Sequence, residues 1–162
     1  MTTIDFGNLD YHRGLIKRNV PTLIEGQSFE FVSAPDLNYN CLAWALSYDN
    51  HYLDKGNGCY WPWKDASAET ADGWARVCEH HEFTIVVDNN YEFVKGIEKV
   101  AILRNEAGEL HAARQDCAGK WKSKMGIGPD IDHVDLACIE SLYGKVVYVL
   151  QKARPDWGTN GI

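Results

Sequence analysis

The chain has 162 residues, of which 45% are hydrophobic and 24% charged, and these values fit one globular domain and exclude a disordered or membrane-embedded chain. Its 16 Lys and Arg residues against 23 Asp and Glu residues give a net charge of −7, which argues against general electrostatic binding of nucleic acid or of a membrane surface. The five cysteines form no CxxC pair, so we expect neither a metal site nor a cofactor.

Targeting signals are not visible in the sequence. Residues 1–14 contain no long apolar run, and no stretch approaches the ~18 apolar residues of a membrane span. We therefore expect a cytoplasmic protein with reduced thiols, or one exported without a cleavable signal peptide. We also expect a single domain over 1–162, with a core at about 20–152 and irregular tails at 1–14 and 153–162.

The first half of the chain predicts mainly helices. A short strand is expected at 29–32, and the run CLAWALSY at 41–48 consists of good helix formers with no breaker. After a loop rich in Gly and Trp at 49–66, Ser67 is expected to cap a second helix that ends near His80. Apolar residues of that segment recur at helical spacing, at Ala71, Trp74, Ala75 and Cys78.

The second half of the chain predicts strands. Runs of β-branched and apolar residues at 83–87 and 100–103 are typical of strands buried on both faces. The full set of expected elements is a strand at 83–87, a hairpin of 99–104 and 109–115, strands at Trp121 and 146–150, and a short helix at 135–142. Helices followed by an antiparallel sheet make an α+β fold.

Cys41 is the candidate nucleophile. It follows Asn40, a candidate N-cap, and stands in the first turn of the predicted helix. Free N–H groups and the helix dipole lower the pKa of a thiol at such a position, and the thiolate is the reactive form. The alternative is that Cys41 serves only as a small buried hydrophobic residue.

A nucleophilic thiol needs a base within hydrogen-bond reach. His111, on the second strand of the predicted hairpin, is the candidate base, and His133 is the candidate that orients it, with Asp130 and Asp132 as alternatives. For His111 the competing interpretation is a core histidine bonded to a backbone group, and for the others it is a solvated loop. The remaining histidines lie in polar contexts and are interpreted as surface residues: His12, His51, His80 and His81.

A basic segment runs over 111–126. It carries a local charge of +3, which leaves −10 on the rest of the chain. Its charged residues are Arg114, Lys120, Lys122 and Lys124 against Asp116. With Trp121 inside it, the segment could receive a substrate that bears a carboxylate, or it could be a solvated strand edge whose lysines block pairing. The candidate substrate-binding residues are Asn40, Trp121, Ser123 and Lys124.

Four sequence blocks occur in order along the chain. They are N-C-x-A-W-A at 40–45, H-x-A-R-Q at 111–115, G-x-W-x-S-K-x-G at 119–126 and I-x-H at 131–133. This series resembles an uncharacterised bacterial domain family, and the resemblance spans about 38–150, most of the chain. Such a family comes without an established activity, so the blocks alone do not name a reaction.

The order of these parts also resembles papain-like cysteine hydrolases of the NlpC/P60 and amidase type. The resemblance implies a helix that carries Cys41 at its start and packs on a small antiparallel sheet. It further implies that Cys41 attacks an amide, that His111 moves the proton, and that His133 or another polar group such as Ser123 orients the imidazole. In NlpC/P60 domains the base usually opens the first hairpin strand, where this chain has Lys99. His111 is then either a base in a shifted position or evidence that the site is not catalytic.

Three functions are compatible with these features. The favoured one is cleavage of an amide bond in a protein or a peptidoglycan-type peptide through an acyl-enzyme. Glutamine deamidation or acyl transfer, as in some bacterial toxins and effectors, would use the same residues. The third is a non-catalytic acidic domain of the immunity type that binds a protein partner through Trp61, Trp63 and Trp121. The deciding feature is whether the side chains of Cys41 and His111 meet.

Overall fold

The computed structural model of the chain describes residues 9–48, 51–55, 59–125 and 128–155. The helices and strands of this part are, in chain order, α1 (Leu9–Asn19), β1 (Phe29–Phe31), α2 (Cys41–Ala45), α3 (Ala71–His80), β2 (Thr84–Ile85), β3 (Ile97–Arg104), β4 (Leu110–Gln115), β5 (Trp121–Lys124), β6 (Asp130–His133), a short 3-10 helix (Ala137–Ile139), α4 (Glu140–Tyr143) and β7 (Lys145–Ala153). None of the described helices combines the length and apolar character that crossing a membrane requires.

Within the described residues, seven strands form one antiparallel sheet in the order β1-β6-β5-β4-β3-β7-β2. The predicted hairpin is present as β3 and β4, which pair from Val100 with Arg114 to Arg104 with Leu110. β7 returns along the other side of β3, and β5 and β6 extend the sheet beyond β4. The predicted α+β class with helices on an antiparallel sheet is therefore confirmed.

The sheet separates two hydrophobic cores, because successive residues of a strand point to opposite faces. One face, here named the α2 face, presents residues such as Ile102 and Ala112 to α2 and α3. The other, named the α1 face, presents residues such as Ala101 and Ala113 to α1, the 3-10 helix and α4. Both faces of the central strands are therefore covered, as their continuously apolar sequences predict.

Helix α2 begins where the sequence predicts and ends earlier. The Asn40 side-chain oxygen accepts a hydrogen bond from the backbone N–H of Ala43 at 3.1 Å, which confirms the predicted N-cap. The helix ends at Ala45 rather than at 48. Two residues later Ser47 adopts φ 68°, in the left-handed region that cannot continue a right-handed helix. The nucleophile candidate thus lies at the start of a short helix.

Helix α3 is shorter than predicted at its start. Its N-cap is Thr70, whose side chain accepts from the N–H of Gly73 at 3.0 Å, and not Ser67. The segment before the helix folds back over the first turn, so that a Cβ atom at Gly73 would stand 1.8 Å from the carbonyl oxygen of Ser67. Gly73 therefore permits a close backbone contact. Trp74, which follows it, is buried as the helical spacing predicts.

Some predicted elements are wrong. Residues 9–14, expected in an irregular tail, belong to α1. The apolar pattern of this helix in the sequence is weak, because its buried residues are Leu9 and Ile16. The strand expected at 83–87 is reduced to β2, and both of its residues are exposed. Strand β6 was not expected, since its sequence DIDH is mostly polar. The tail expected at 153–162 lies mostly outside the described residues.

Candidate functional site

The seven candidate site residues divide between the two faces of the sheet. Cys41 packs against the core of the α2 face. His111 lies on the α1 face, because it adjoins Ala112 on the strand and pairs across strands with Leu103, a core residue of the α1 face. On the α2 side lie Asn40, Cys41 and Lys124, and on the α1 face lie His111, Trp121, Ser123 and His133.

The structure does not bring Cys41 and His111 together. Strand β4 places them on opposite sides of the sheet, and among the described residues no hydrogen bond joins Cys41 to an imidazole. Lys99 is not a replacement, since it also lies on the α1 face and its Nζ donates to the carbonyl of Asn90 at 2.9 Å. The predicted thiol–imidazole pair is therefore not assembled from these residues.

His111, Ser123 and His133 instead form a buried chain of hydrogen bonds. Nδ1 of His133 lies 2.8 Å from the backbone carbonyl of Asp135, which can only accept, so Nδ1 carries a proton. Nε2 of the neutral ring then accepts from the Ser123 hydroxyl at 2.7 Å. The Ser123 oxygen in turn accepts from Nε2 of His111 at 2.9 Å. The predicted link between the two histidines thus exists, with Ser123 between them.

This chain of bonds is inaccessible to a substrate. Ser123 is fully buried, and His111 and His133 are nearly so. Burial lowers the pKa of each imidazole below its ordinary value. The charge of His133 lowers the pKa of His111 further, whereas Asp135 and Asp132 oppose the shift at His133. The ring of Tyr143 covers His111 at a centroid distance of 3.6 Å and an angle of 7°. The three residues therefore brace β4, β5 and β6 from within.

The thiol of Cys41 lies in a mixed environment. The residue is partly exposed. Burial of the thiol raises its pKa, while backbone hydrogen bonds at Ala112 and Leu42 and the positive charge of Lys124 act in the opposite direction. These opposing contributions are those of a thiol at a helix start next to a cation. Burial outweighs the opposing effects, so the pKa of the thiol is raised, and the charged partner that acts on it is Lys124 rather than an imidazole.

That partner, Lys124, is fully buried. Its Nζ donates a short hydrogen bond to the backbone carbonyl of Gly128 and lies 5.1 Å from the centroid of the Tyr39 ring. Burial lowers the pKa of Lys124, whereas the negative charges of Asp130 and of a Cys41 thiolate raise it. A buried ammonium is costly unless it is paired, and Asp130, the first of the charges that favour it, lies opposite Lys124 in the sheet register.

Asp130 completes this charged group on the α2 side. It pairs with Lys124 in the sheet register, and its Oδ2 accepts from the Tyr39 hydroxyl at 2.8 Å. Burial raises the pKa of Asp130, and the Tyr39 hydrogen bond and Lys124 oppose that shift. Among the described residues, Oδ1 has no hydrogen-bond partner although it is buried. The sequence named Asp130 as an alternative orienting residue, and the structure puts it beside Lys124.

Asn40 has a positioning role next to Cys41. Besides capping α2, its Oδ1 accepts from the N–H of Leu53 at 3.3 Å and its Nδ2 donates to the carbonyl of Leu53 at 2.8 Å. These bonds hold the loop that carries Tyr52, and the Cys41 charge in turn raises the pKa of Tyr52, after the larger effect of burial. The polar atoms of Asn40 are therefore engaged in holding the backbone beside the thiol.

His12 is a member of this neighbourhood that sequence reasoning missed. The residue is half-buried on α1, and a Cβ atom at Gly128 would stand 3.0 Å from its Cε1. Burial lowers the pKa of His12, and the charge of Lys124 lowers it further. Its sequence surroundings are polar and carry no motif, so only the docking of α1 on the sheet could have revealed it.

A comparison with protein families decides the family. The model of the family described as a domain of unknown function, DUF7689, matches residues 30–151. The chain belongs to this family. The expectation of an uncharacterised domain family is thereby confirmed. No curated protein and no solved structure matches the chain.

The basic segment of this DUF7689 domain is largely neutralised. Its strand β5 lies between β4 and β6, so the interpretation as a strand edge is wrong. Lys122 Nζ lies 2.7 Å from Asp132 and 3.7 Å from Asp116. Asp132, offered as an orienting residue, is therefore engaged with Lys122. These ion pairs reduce the positive field available to an acidic substrate.

The tryptophans named as binding residues are used in packing. Trp121 is 3% exposed and belongs to the core of the α1 face of the domain. Trp61 donates from Nε1 to the carbonyl of Ala66 at 2.9 Å, and the rings of Trp61 and Trp63 contact each other edge to face. Among the described residues, no group of three or more His, Cys, Asp and Glu side chains could hold a metal ion.

Proposed function

We propose that this DUF7689 protein is a cysteine-dependent amide hydrolase in which Cys41 is the nucleophile and Lys124 supplies the charge that a papain-like enzyme takes from histidine. The observation that carries the proposal is a partly exposed cysteine at the start of α2, a helix that packs on β4 and β5, with the fully buried Lys124 on the same side of the sheet. A helix that bears a cysteine and packs on an antiparallel sheet is also the arrangement that a papain-like fold predicts.

The reaction begins with transfer of the Cys41 proton to Lys124, which gives a thiolate beside an ammonium. The thiolate attacks the carbonyl carbon of an amide, the carbon–sulfur bond forms, and the carbon–nitrogen bond breaks as the proton returns to the leaving amine. Water then attacks the thioester, yields a carboxylic acid and restores the thiol. Each step balances without an oxidant, a reductant or a metal ion.

Lys124 has the properties that this mechanism needs. Burial lowers the pKa of an amine, so near neutral pH a larger fraction of a buried lysine than of an exposed one is neutral, and the neutral amine is the form that can accept a proton. A thiolate in turn stabilises the ammonium form. The charge of Lys124 acts on the pKa of the Cys41 thiol in the direction opposite to burial, and it adds to the larger effect of the backbone hydrogen bonds.

The same thioester serves two related reactions. Hydrolysis of a glutamine side-chain amide is deamidation, and attack by an amine in place of water is acyl transfer. The substrate is an amide of a peptide or protein in each case. These alternatives differ in the acceptor and in the substrate bound, and not in the roles of Cys41 and Lys124.

A second candidate is a non-catalytic domain that binds a protein partner, such as an immunity-type inhibitor. It is favoured by the separation of Cys41 from His111 across the sheet. It is also favoured by the effect of burial, which raises the pKa of the Cys41 thiol. In this case Cys41 packs α2 against the sheet, and Lys124 is a buried cation that lies opposite Asp130 in the sheet register.

The deciding experiment is alkylation of the native protein by iodoacetamide as a function of pH, with each cysteine followed by peptide mass mapping. We expect Cys41 to react faster near pH 7 than Cys59 and Cys117, which are also partly exposed. In Lys124→Met the rate at Cys41 should fall about tenfold or more, which corresponds to a rise of about one pKa unit. In the matched control Lys122→Met it should not change.

Two further measurements control for loss of folding and identify the residue that is acylated. Circular dichroism establishes that Lys124→Met is folded. Lys124→Arg keeps the positive charge but cannot accept a proton, so it should retain most of the alkylation rate of Cys41, which depends on the charge and not on proton transfer to residue 124. Incubation with p-nitrophenyl acetate should give an acetylated peptide that contains Cys41 and is absent in Cys41→Ala. A Cys41 that reacts no faster than Cys59 and Cys117 in the wild type would overturn the hydrolase proposal and favour the binding domain.

A further inference from the structure

Arg114 is a cation of the α2 face that the proposed mechanism does not use. It follows Ala112 by two residues on β4, so its side chain points to the same face as that of Ala112. Its Cζ atom lies 4.1 Å from the centroid of the Trp44 ring, and its Nη1 donates to the Ser47 hydroxyl oxygen at 2.9 Å. Arg114 is half-buried and Ser47 is exposed. Two contacts therefore hold this guanidinium group at the edge of the solvent.

Most N–H donors of this guanidinium group are not engaged within the protein. A guanidinium group carries five N–H donors, and among the described residues Ser47 binds one of them and no carboxylate forms an ion pair with Arg114. Burial lowers the pKa of Arg114, and three acidic residues oppose that shift: Glu98, Asp130 and Asp116. Two of these acids are paired with other cations, since Arg154 lies 2.6 Å from Glu98 and Lys122 lies 3.7 Å from Asp116. The charge of Arg114 is therefore open to an external anion.

Arg114 lies next to the candidate nucleophile by two independent routes. Along the strand, the Cys41 thiol is hydrogen-bonded to the backbone of Ala112, and Arg114 follows on the same face after ~7 Å. Along the helix, Trp44 comes three residues after Cys41, and residues three apart are neighbours on a helix surface. Because Arg114 stacks on Trp44, both routes lead to the same place, one repeat away from the thiol.

Two further features of this place are typical of a ligand site. The Nε1 of Trp44 is buried, and among the described residues it has no hydrogen-bond partner, although buried donors are nearly always satisfied. Ser47 has a φ of 68°, a strained conformation for a residue other than glycine, and such residues cluster at sites of function. A ligand oxygen beside the indole would supply the missing acceptor.

We propose that Arg114, stacked on Trp44 and held by Ser47, binds a carboxylate of the substrate next to the amide that Cys41 attacks. The inference rests on the proposed function and names its substrate class: peptide amides with a carboxylate within about two residues of the attacked bond, since two extended residues span ~7 Å. A guanidinium group binds the two oxygens of a carboxylate with parallel N–H donors. The end of a peptide chain and an acidic side chain both offer this group.

The test measures binding to Cys41→Ala, which cannot form an acyl-enzyme. Three probes differ in their carboxylate: N-acetyl-dialanine has it at the chain end, N-acetyl-glutamyl-alanine amide has it on a side chain, and N-acetyl-dialanine amide has none. Binding is followed by the NMR signal of the Trp44 indole N–H, which is identified by its loss in Trp44→Phe. We expect an acidic probe to bind about tenfold or more tightly than the neutral one, and the tighter acidic probe identifies the source of the carboxylate.

Substitutions of arginine supply the matched variants. Arg114→Gln, in the Cys41→Ala background, should reduce the affinity for the acidic probe to that for the neutral probe. Arg114→Lys keeps the charge without the paired donors and should recover only part of the affinity. Arg104→Gln removes the same charge from an exposed residue at the end of β3, four residues from the Val100 that pairs with Arg114, and should leave the affinity unchanged.

Equal affinities for the acidic and neutral probes, or an unchanged affinity in Arg114→Gln, would overturn the inference. The comparison of probes needs no substitution at Arg114, so it decides the question even where Arg114→Gln does not fold. A reactive Cys41 together with equal affinities overturns the carboxylate site alone. A preference for the acidic probe together with an unreactive Cys41 overturns the proposed function and, with it, the assignment of the carboxylate to a substrate.

Discussion

The Ser123 hydroxyl donates to Nε2 of His133 across 2.7 Å, and the carbonyl of Asp135 fixes this direction by engaging the other ring nitrogen. The bond from His111 to Ser123 extends the chain to β4. The backbone pairing of β4 with β5 covers Ala113 to Gln115 and does not reach His111. Side-chain bonds therefore continue the connection of the strands where the backbone ladder ends.

Removal of the Ser123 hydroxyl should destabilise the fold. Ser123→Ala leaves a buried donor on His111 and a buried acceptor on His133 without partners, at a cost of ~1–3 kcal/mol each. We expect the free energy of unfolding, measured by urea denaturation, to fall by about 2–4 kcal/mol. Ser141→Ala, at an exposed position of α4, should change it by less than ~0.5 kcal/mol. A loss below ~1 kcal/mol in Ser123→Ala would show that the hydroxyl is not the link described.

Stability should decrease as the pH falls below the ordinary range of histidine. Burial lowers the folded-state pKa of His111 and of His133, so between the folded and unfolded values the unfolded chain binds more protons. The stabilising contribution of each histidine is therefore complete above about pH 6.5. It is lost as the pH falls towards the folded-state pKa, with a slope of up to ~1.4 kcal/mol per pH unit for each imidazole.

The measurement is urea unfolding of the wild type and of His111→Phe from pH 8 to pH 5. Phe keeps a ring against Tyr143 and cannot be protonated, so the variant should lose stability less steeply below pH 6.5. Parallel curves for the two proteins would contradict the assignment of the slope to His111.

Two helical glycines should respond to alanine with opposite signs. In α3, a Cβ atom at Gly73 would overlap the carbonyl oxygen of Ser67, at 1.8 Å, so Gly73→Ala must displace backbone and should destabilise by more than ~1 kcal/mol. In α1, a Cβ atom at Gly14 would meet Arg18 side-chain atoms at 3.4 Å or more. Gly14→Ala should therefore stabilise by ~0.5–1 kcal/mol. Thermal melts of both variants give the signs, and a stabilising Gly73→Ala would show that α3 does not begin as described.

The parts of the fold that depend on local chemistry could be predicted from the sequence. Asn40 was expected to cap a helix that begins at Cys41, and it does, because capping involves residues three positions apart. The burial of Trp74 follows from the spacing of its apolar neighbours. The hairpin of β3 and β4 follows from two apolar runs around a turn.

The division of the site across the sheet could not be predicted in this way. Successive residues of a strand point to opposite faces, so His111 and Ala112 face opposite ways. Both neighbours of His111 are apolar and both faces of β4 are buried, so the sequence pattern does not indicate which face packs against α2. The place of His12 beside Lys124 depends on contacts more than one hundred residues apart in the chain. The charged group at Cys41 is therefore a product of tertiary packing.

The carboxamide of Asn40 binds two parts of the chain. It caps α2 at Ala43 and forms hydrogen bonds with the backbone of Leu53, beside Tyr52. Movement of the loop at Leu53 would therefore break the hydrogen bonds of the residue that caps α2, and fraying of the first turn of α2 would release the loop. Access of a reagent to the thiol and the local melting of that turn are consequently one equilibrium. Mild denaturant would shift that equilibrium well before the sheet unfolds, so the kinetics of the thiol would report on a small cooperative unit of the fold.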